Sequence, residues 1–229
     1  MTQNRSSAVM AQRHEAHDSL DFFPTPPWAT RALCEWLQGQ GQPIDQLRAT
    51  EPACGQGDMA RPLAEYFGDV WASDVHDHGW TGLCEIWDFL LSPPHRDADD
   101  WIITNPPFRL ALPFIQLARM RAAAGVAMLV RTSFLEGGER YRELFADDRP
   151  THVLQFCERV PMAKGRLDAK GSTATAYCWL VWLGADRALE TVFDWIPPGT
   201  RKRLELPGDY PTAPKLEPGS APLLEGART

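Results

Sequence analysis

Two short stretches of this chain combine residue types and spacing that could do chemistry. In Asn105-Pro106-Pro107-Phe108, two consecutive prolines fix φ and remove N–H donors, so the turn is stiff and presents acceptors. An exocyclic amine on an aromatic base is a poor nucleophile, because its lone pair is delocalised into the ring. Two acceptors, the Asn105 side-chain oxygen and the Pro106 carbonyl, could bind its two hydrogens and raise lone-pair density at nitrogen. Phe108 adds a face on which a base could stack. The plain alternative is a Pro-Pro loop capped by Asn.

The second stretch is Glu51-Pro52-Ala53-Cys54-Gly55-Gln56-Gly57-Asp58-Met59-Ala60, where Gly55, Gly57 and Ala60 fit G-x-G-x-x-G/A. Small residues let the backbone approach a ligand, and the helix that follows offers unpaired N–H groups. Glycine turns of this kind are common, so two further acids carry weight. Asp74 lies 19 residues beyond Gly55, where an acid can accept hydrogen bonds from ribose hydroxyls. Asp88 precedes Phe89, which suits an adenine ring held by one polar contact and one aromatic face. Either acid alone reads as an ordinary loop carboxylate, whereas the three features together describe a site for an adenosine-containing cofactor.

These residues need a scaffold that brings successive strand ends together. Short apolar runs predict strands at Leu47–Glu51, Val70–Asp74, Leu83–Trp87, Trp101–Asn105, Val126–Val130, Val153–Phe156 and Tyr177–Trp182. Helices fit after Thr25, read as an N-cap with Pro26 at the first helical position, and around Met59–Tyr66, Leu110–Ala123 and Glu139–Phe145. Seven strands with interleaved helices predict an α/β, doubly wound, mostly parallel sheet with helices on both faces. Ligands of such a sheet bind beyond the carboxyl ends of its strands. Trp179 and Trp182 are read as core residues on one face of the last strand.

The motifs resemble those of the S-adenosylmethionine-dependent N6-adenine DNA methyltransferases, especially small phage and prophage forms. Glu51 to Gly57 looks like their cofactor loop and Asn105 to Phe108 like their catalytic motif. Asp21-Phe22-Phe23-Pro24-Thr25-Pro26 resembles the segment that contacts the methionine end of the cofactor. The order of these segments is that of the gamma arrangement. In outline the resemblance spans residues 20 to 183. It implies a Rossmann-like class I methyltransferase fold with S-adenosylmethionine held by Phe23, Pro24, Thr25, Glu51, Pro52, Ala53, Cys54, Gly55, Gly57, Asp74, Asp88 and Phe89. Asn105, Pro106, Pro107 and Phe108 would then act on a flipped-out adenine by direct in-line transfer. Other substrates for the same turn are RNA adenine or a protein glutamine amide, and a catalytically silent cofactor or nucleic-acid binding module is the alternative from another class.

One departure from the family is the lack of a separate target-recognition domain. Region 131–171 remains for contacting DNA, and its segment Arg159–Lys170 carries Arg159, Lys164, Arg166 and Lys170 against Asp168 alone. Those four cations could track phosphates. Globally the chain is acidic, with a formal net charge of −7, so any contact with nucleic acid must be local.

At 229 residues the chain fits one domain, predicted over 21–196 between a mobile arm at 1–20 and a disordered Pro-rich tail at 197–229. No apolar run approaches bilayer length and residues 1–20 contain no signal-like core, so a cytoplasmic location is expected. The five cysteines are widely spaced without a CxxC, which predicts free thiols and no metal site. None follows a proline, so the thiolate arrangement used for cytosine C5 methylation is absent. His76 and His78 receive no role, because methyl transfer needs no metal.

Overall fold

The computed structural model describes residues 21–93, 99–169, 171 and 173–210; the predicted arm at 1–20, Lys170 and residues 211–229 lie outside these. Its centre is a sheet of β1 (Arg48–Glu51), β2 (Asp69–Asp74), β3 (Glu85–Ile86), β4 (Asp99–Thr104), β5 (Ala122–Arg131), β6 (His152–Phe156), β7 (Tyr177–Leu183) and β8 (Val192–Ile196). The spatial order is β3-β2-β1-β4-β5-β7-β6-β8. All neighbours run parallel except β7, which is antiparallel to both β5 and β6. The sheet thus has eight strands rather than seven. The additional strand, β8, carries little apolar signal because four of its five residues are exposed, and main-chain pairing with β6 fixes it.

Strand periodicity sorts the core onto two faces. Trp101, Ile103, Ala127, Leu129, Trp179 and Val181 pack with helix α1 (Pro27–Gly39) and helix α2 (Ala60–Leu63). Ile102, Val126, Met128, Val130, Leu180 and Trp182 pack with helix α3 (Ala111–Arg121). Trp179 and Trp182 are both fully buried. They are three residues apart on a strand, however, and so lie on opposite faces rather than one: Trp179 Nε1 donates to Ala29 O in α1 (3.1 Å) and Trp182 Nε1 to Asp148 O (3.2 Å).

Helix α1 starts at Pro27 with Pro26 as the capping residue, one position later than expected. Prolines cost little there, since N–H groups of the first turn have no intrahelical acceptor. Helix α2 is shorter than its predicted span, and the predicted helix at 139–145 forms as α4 (Gly138–Arg140) running into a π-helical turn at Tyr141–Phe145.

Packed structure continues beyond residue 196, as far as the described residues run. Helix α5 (Thr200–Leu204) packs on α1 with Thr200 and Leu204 buried. The buried Arg31 of α1 donates to Leu204 O (2.8 Å), to both carboxylate oxygens of Asp209 (2.7 and 2.9 Å) and to both of Glu65 (2.7 Å each). Pro-rich composition predicted disorder, but one guanidinium satisfied by two carboxylates and a carbonyl anchors the segment.

Candidate active site

The sheet order reverses between β1 and β4, which is where a doubly wound sheet opens a crevice beyond its strand ends. A cavity of about 370 Å³ occupies that crevice. Glu51 and Asp74 reach it as the last residues of β1 and β2, and Asn105 directly follows β4. Of the residues expected to hold a cofactor, Phe23, Pro24, Thr25, Glu51, Pro52, Ala53, Cys54, Asp74, Asp88 and Phe89 all line the cavity, whereas Gly55 and Gly57 do not.

The glycines act one layer behind the wall. Gly55 and Gly57 have φ of +53° and +76°, conformations that L side chains rarely adopt. A Cβ on Gly55 would stand 2.3 Å from the Phe22 ring, and one on Gly57 would stand 2.3 Å from the Trp80 ring. The loop is tight because two aromatic rings close over it, not because its glycines face the ligand. Gly55 N also donates to Asp74 Oδ2 (2.8 Å), which locks the loop to the end of β2. Asp74 Oδ1 accepts from His76 N (3.0 Å), and Asp88 Oδ1 accepts from the amides of Leu90 and Leu91 (2.9 and 3.1 Å), so both acids are oriented by their own loops.

The wall is acidic. Asp21, Glu51, Asp58, Asp74 and Asp88 line the cavity, and among the described residues no Lys or Arg does. Glu51 is the most extreme: its Oε2 is buried without a hydrogen-bond partner among the described residues. Burial, reinforced by the charges of Asp58 and Asp74, pushes its carboxyl well above the ordinary range. Burial also raises Asp58, against the pull of Arg61 at 2.5 Å. The Cys54 thiol is raised by burial too, which leaves it protonated and unfit as a nucleophile. His78, to which the sequence assigned no role, lines the cavity with its ring 4.6 Å from that of Phe22 and Nε2 3.7 Å from Asp74 Oδ1. Met59, Leu90, Leu91, Leu110 and Phe114 complete much of the apolar wall. Their only sequence signal is hydrophobicity, which cannot separate a cavity from a core.

Asn105 and Pro107 line the cavity, and Pro106, which is buried, and Phe108 are not among its lining side chains. Asn105 Nδ2 donates to Phe23 O at 2.9 Å. This fixes the amide plane and leaves Oδ1 buried with no hydrogen-bond partner among the described residues. Phe108, whose face the sequence offers for stacking, is covered by other side chains. Its ring packs 4.9 Å from Phe23 and 6.4 Å from Tyr177, and the Arg131 guanidinium lies 3.7 Å from its centroid.

The segment Asp21–Phe23 ties the parts together. Asp21 Oδ2 accepts from Phe108 N (2.7 Å), Phe23 O from Asn105, and Phe22 O from Gly165 N (2.9 Å). Gly165 belongs to a turn closed by a bridge between Ala163 and Arg166, and the adjacent Met162 places Sδ 3.8 Å from Asn105 Nδ2. The basic loop that sequence picked out thus borders the turn at Asn105–Phe108. Arg159 and Arg166 are exposed and Lys164 is partly buried, while Lys170 is outside the described residues. All five cysteines are free, and among the described residues no group of three or more His, Cys, Asp or Glu is arranged to hold a metal. No helix among them is long and apolar enough to cross a membrane.

No protein-family model and no curated protein matches the sequence. Solved structures do match the fold. A Listeria monocytogenes protein provisionally described as a class I S-adenosylmethionine-dependent methyltransferase aligns over 83% of this chain and 71% of its own, with TM-score 0.55 and 13% identity. A protein provisionally described as an RNA methyltransferase, from Pyrococcus horikoshii, aligns over 71% and 87%, with TM-score 0.54 and 16% identity. The methyltransferase subunit of a type I restriction-modification system from Streptococcus thermophilus aligns over 76% of this chain, at TM-score 0.57 and 10% identity, and this chain spans 47% of it. The fold is therefore that of the class I methyltransferases, Rossmann-like with a mixed, mostly parallel sheet.

Proposed function

We propose that this protein transfers a methyl group from S-adenosylmethionine to N6 of adenine in DNA. The carrying observation is Asn105: a buried side-chain oxygen, fixed by the bond from Nδ2 to Phe23 O, has no donor of its own at the edge of the cavity. A buried acceptor left unpaired is costly, so a donor from a ligand is the natural partner. An aromatic amine brings two such hydrogens, and the Pro106 carbonyl next in the chain is the second acceptor. Their geometry orients the amine and enriches its lone pair, so positioning does most of the work.

The cofactor assignment rests on charge. A nucleotide carrying phosphates would meet five acidic side chains and, among the described residues, no Lys or Arg, which disfavours it relative to a cationic ligand. S-adenosylmethionine fits because it is an adenosine whose sulfonium and ammonium are cationic. When bound, it supplies an electrophilic methyl group. Glu51 and Asp58 are the buried acids that would face its positive charges, Asp74 its ribose and Asp88 with Phe89 its adenine. The apolar wall keeps water from the reacting centre. DNA as substrate is favoured by the basic turn beside Asn105 and by the likeness to the restriction-modification subunit.

The test is incubation with methyl-labelled S-adenosylmethionine and randomised duplex DNA, single-stranded DNA, RNA or glutamine-containing protein, followed by sequencing for N6-methyladenine. Label on adenine N6 in DNA is expected. Label confined to RNA or protein overturns the substrate, and cofactor binding without transfer to any of them makes the chain a binding module. Asn105→Ala should reduce transfer by about 10²-fold or more, while cofactor affinity in calorimetry changes far less.

A further inference from the structure

Phe108 is covered in a way that stacking on a base does not allow. The Arg131 guanidinium sits 3.7 Å from the ring centroid, close enough to occupy the place where a base would lie. Arg131 is the last residue of β5, opposite Tyr177 on β7. Because β5 runs parallel to β4 with Met128 beside Thr104, Arg131 emerges at the same edge of the sheet as Asn105. Its guanidinium also hydrogen-bonds the Tyr177 side chain, but its Nε is buried and has no hydrogen-bond partner among the described residues. An unpaired buried N–H is a standing cost, so this contact is a resting arrangement that a better partner can displace.

We propose that Arg131 holds the target base's place on Phe108 and cedes it when DNA binds, its freed guanidinium then pairing with a backbone phosphate. The inference rests on the adenine reading above and adds a positioning residue to it. Both contacts are planar groups on one aromatic face, and base stacking is generally the stronger of the two. The exchange also improves matters for the cation. A guanidinium that leaves a ring for a phosphate gains charge-assisted, bidentate hydrogen bonds, including one for Nε. Phe108 is held from the other side of the exchange, since Asp21 Oδ2 accepts its backbone N–H at 2.7 Å and keeps the ring in position when Arg131 leaves.

Two measurements test this with the full chain. In nitrogen-edited NMR, the ring current of Phe108 should shift the Arg131 Nε–H upfield; the resonance is assigned by its loss in Arg131→Lys. Adding a duplex that the wild type methylates, together with S-adenosylhomocysteine to prevent turnover, should remove that shift. In a salt titration of duplex binding, Arg131→Ala should lower the log–log slope by about 0.9, the contribution of one phosphate contact, and Arg131→Lys should restore it. Cofactor affinity should be unchanged in both variants, which verifies folding, because Arg131 does not line the cavity. An Nε–H that stays upfield with DNA bound, or an unchanged slope in Arg131→Ala, overturns the exchange while the adenine reading stands. Failure of the wild type to bind DNA at all overturns both.

Discussion

The cavity and the turn beside it are built at the same edge of one sheet, yet they carry opposite charge. The cavity is walled by five acidic side chains and, among the described residues, no Lys or Arg, whereas Lys164 and Arg166 sit on the turn next to Met162, which reaches Asn105. One side is suited to a cation and the other to a polyanion. The segment Asp21–Phe23 bonds to both, through Phe23 O to Asn105 and through Phe22 O to Gly165, and Met162 of the basic loop also reaches Asn105. The net charge of −7 is thus unevenly placed at this edge, with five acids in the cavity wall and the cations of the 159–166 segment outside it. If this division is correct, a change on one side should leave the other side's binding largely intact.

The largest break should come at Gly55. A valine there must hold φ near +53° and displace the Phe22 ring that closes the cavity. The left-handed backbone alone costs about 1–2 kcal/mol. Cofactor binding by Gly55→Val should be undetectable in calorimetry, with far-ultraviolet circular dichroism showing a folded sheet. Gly57→Ala should be milder, and its defect should partly recover when Trp80→Ala removes the ring that the new Cβ strikes. No recovery would mean that backbone conformation, not the ring, makes Gly57 necessary.

Glu51→Gln should have a smaller effect of two opposite signs. Burial raises the Glu51 carboxyl above its ordinary value of 4.5, so over the interval above that value the folded chain holds a proton that the unfolded chain has lost. Stability of the cofactor-free protein should therefore fall as pH rises through that interval, since the unfolded state binds fewer protons. Glutamine cannot ionise, so the variant should lose this slope and melt higher than the wild type near neutral pH. It should also bind S-adenosylmethionine more weakly. The wild-type affinity should rise with pH, as the ionised carboxylate is the form that attracts a cation, and the variant's affinity should not. Equal pH dependence in both proteins would remove Glu51 from the cationic end of the site.

How much of this was legible in the sequence follows from what each signal depends on. Glu51, Asp74 and Asn105 could be read because strand ends are marked by apolar runs that stop, and a doubly wound sheet sends those ends to one place. The roles of Gly55 and Gly57 were half legible. Spacing showed a tight loop, but nothing local shows that Phe22 and Trp80 are what it must accommodate. The cover on Phe108 was not legible because Arg131 is 23 residues further along the chain, at the end of β5. The same holds for residues 197–210, whose anchor is Arg31 in the first helix. Contacts made by a single distant side chain leave no periodicity to detect, and a strand such as β8, fixed by main-chain pairing with its side chains exposed, leaves almost none.

The smallest effect, and the one that tests the division most directly, should come from Arg159→Ala combined with Arg166→Ala. Both side chains are exposed, and Arg166 has Asp168 at 3.7 Å, a surface ion pair worth little. Their removal should therefore leave the melting temperature and cofactor affinity where they are. Each contact with a phosphate contributes about 0.9 to the log–log salt slope on duplex DNA. The double variant should thus flatten the slope by up to twice that, with its affinity deficit largest at low salt and vanishing as salt screens the wild type. Methylation should fall by a similar factor on every target sequence, because phosphate contacts position the duplex without reading it. A loss that depends on sequence would place base recognition in this turn. A loss of cofactor affinity would show that the bond from Gly165 to Phe22 couples the two sides, and that the charge boundary along Asp21–Phe23 is not an energetic one.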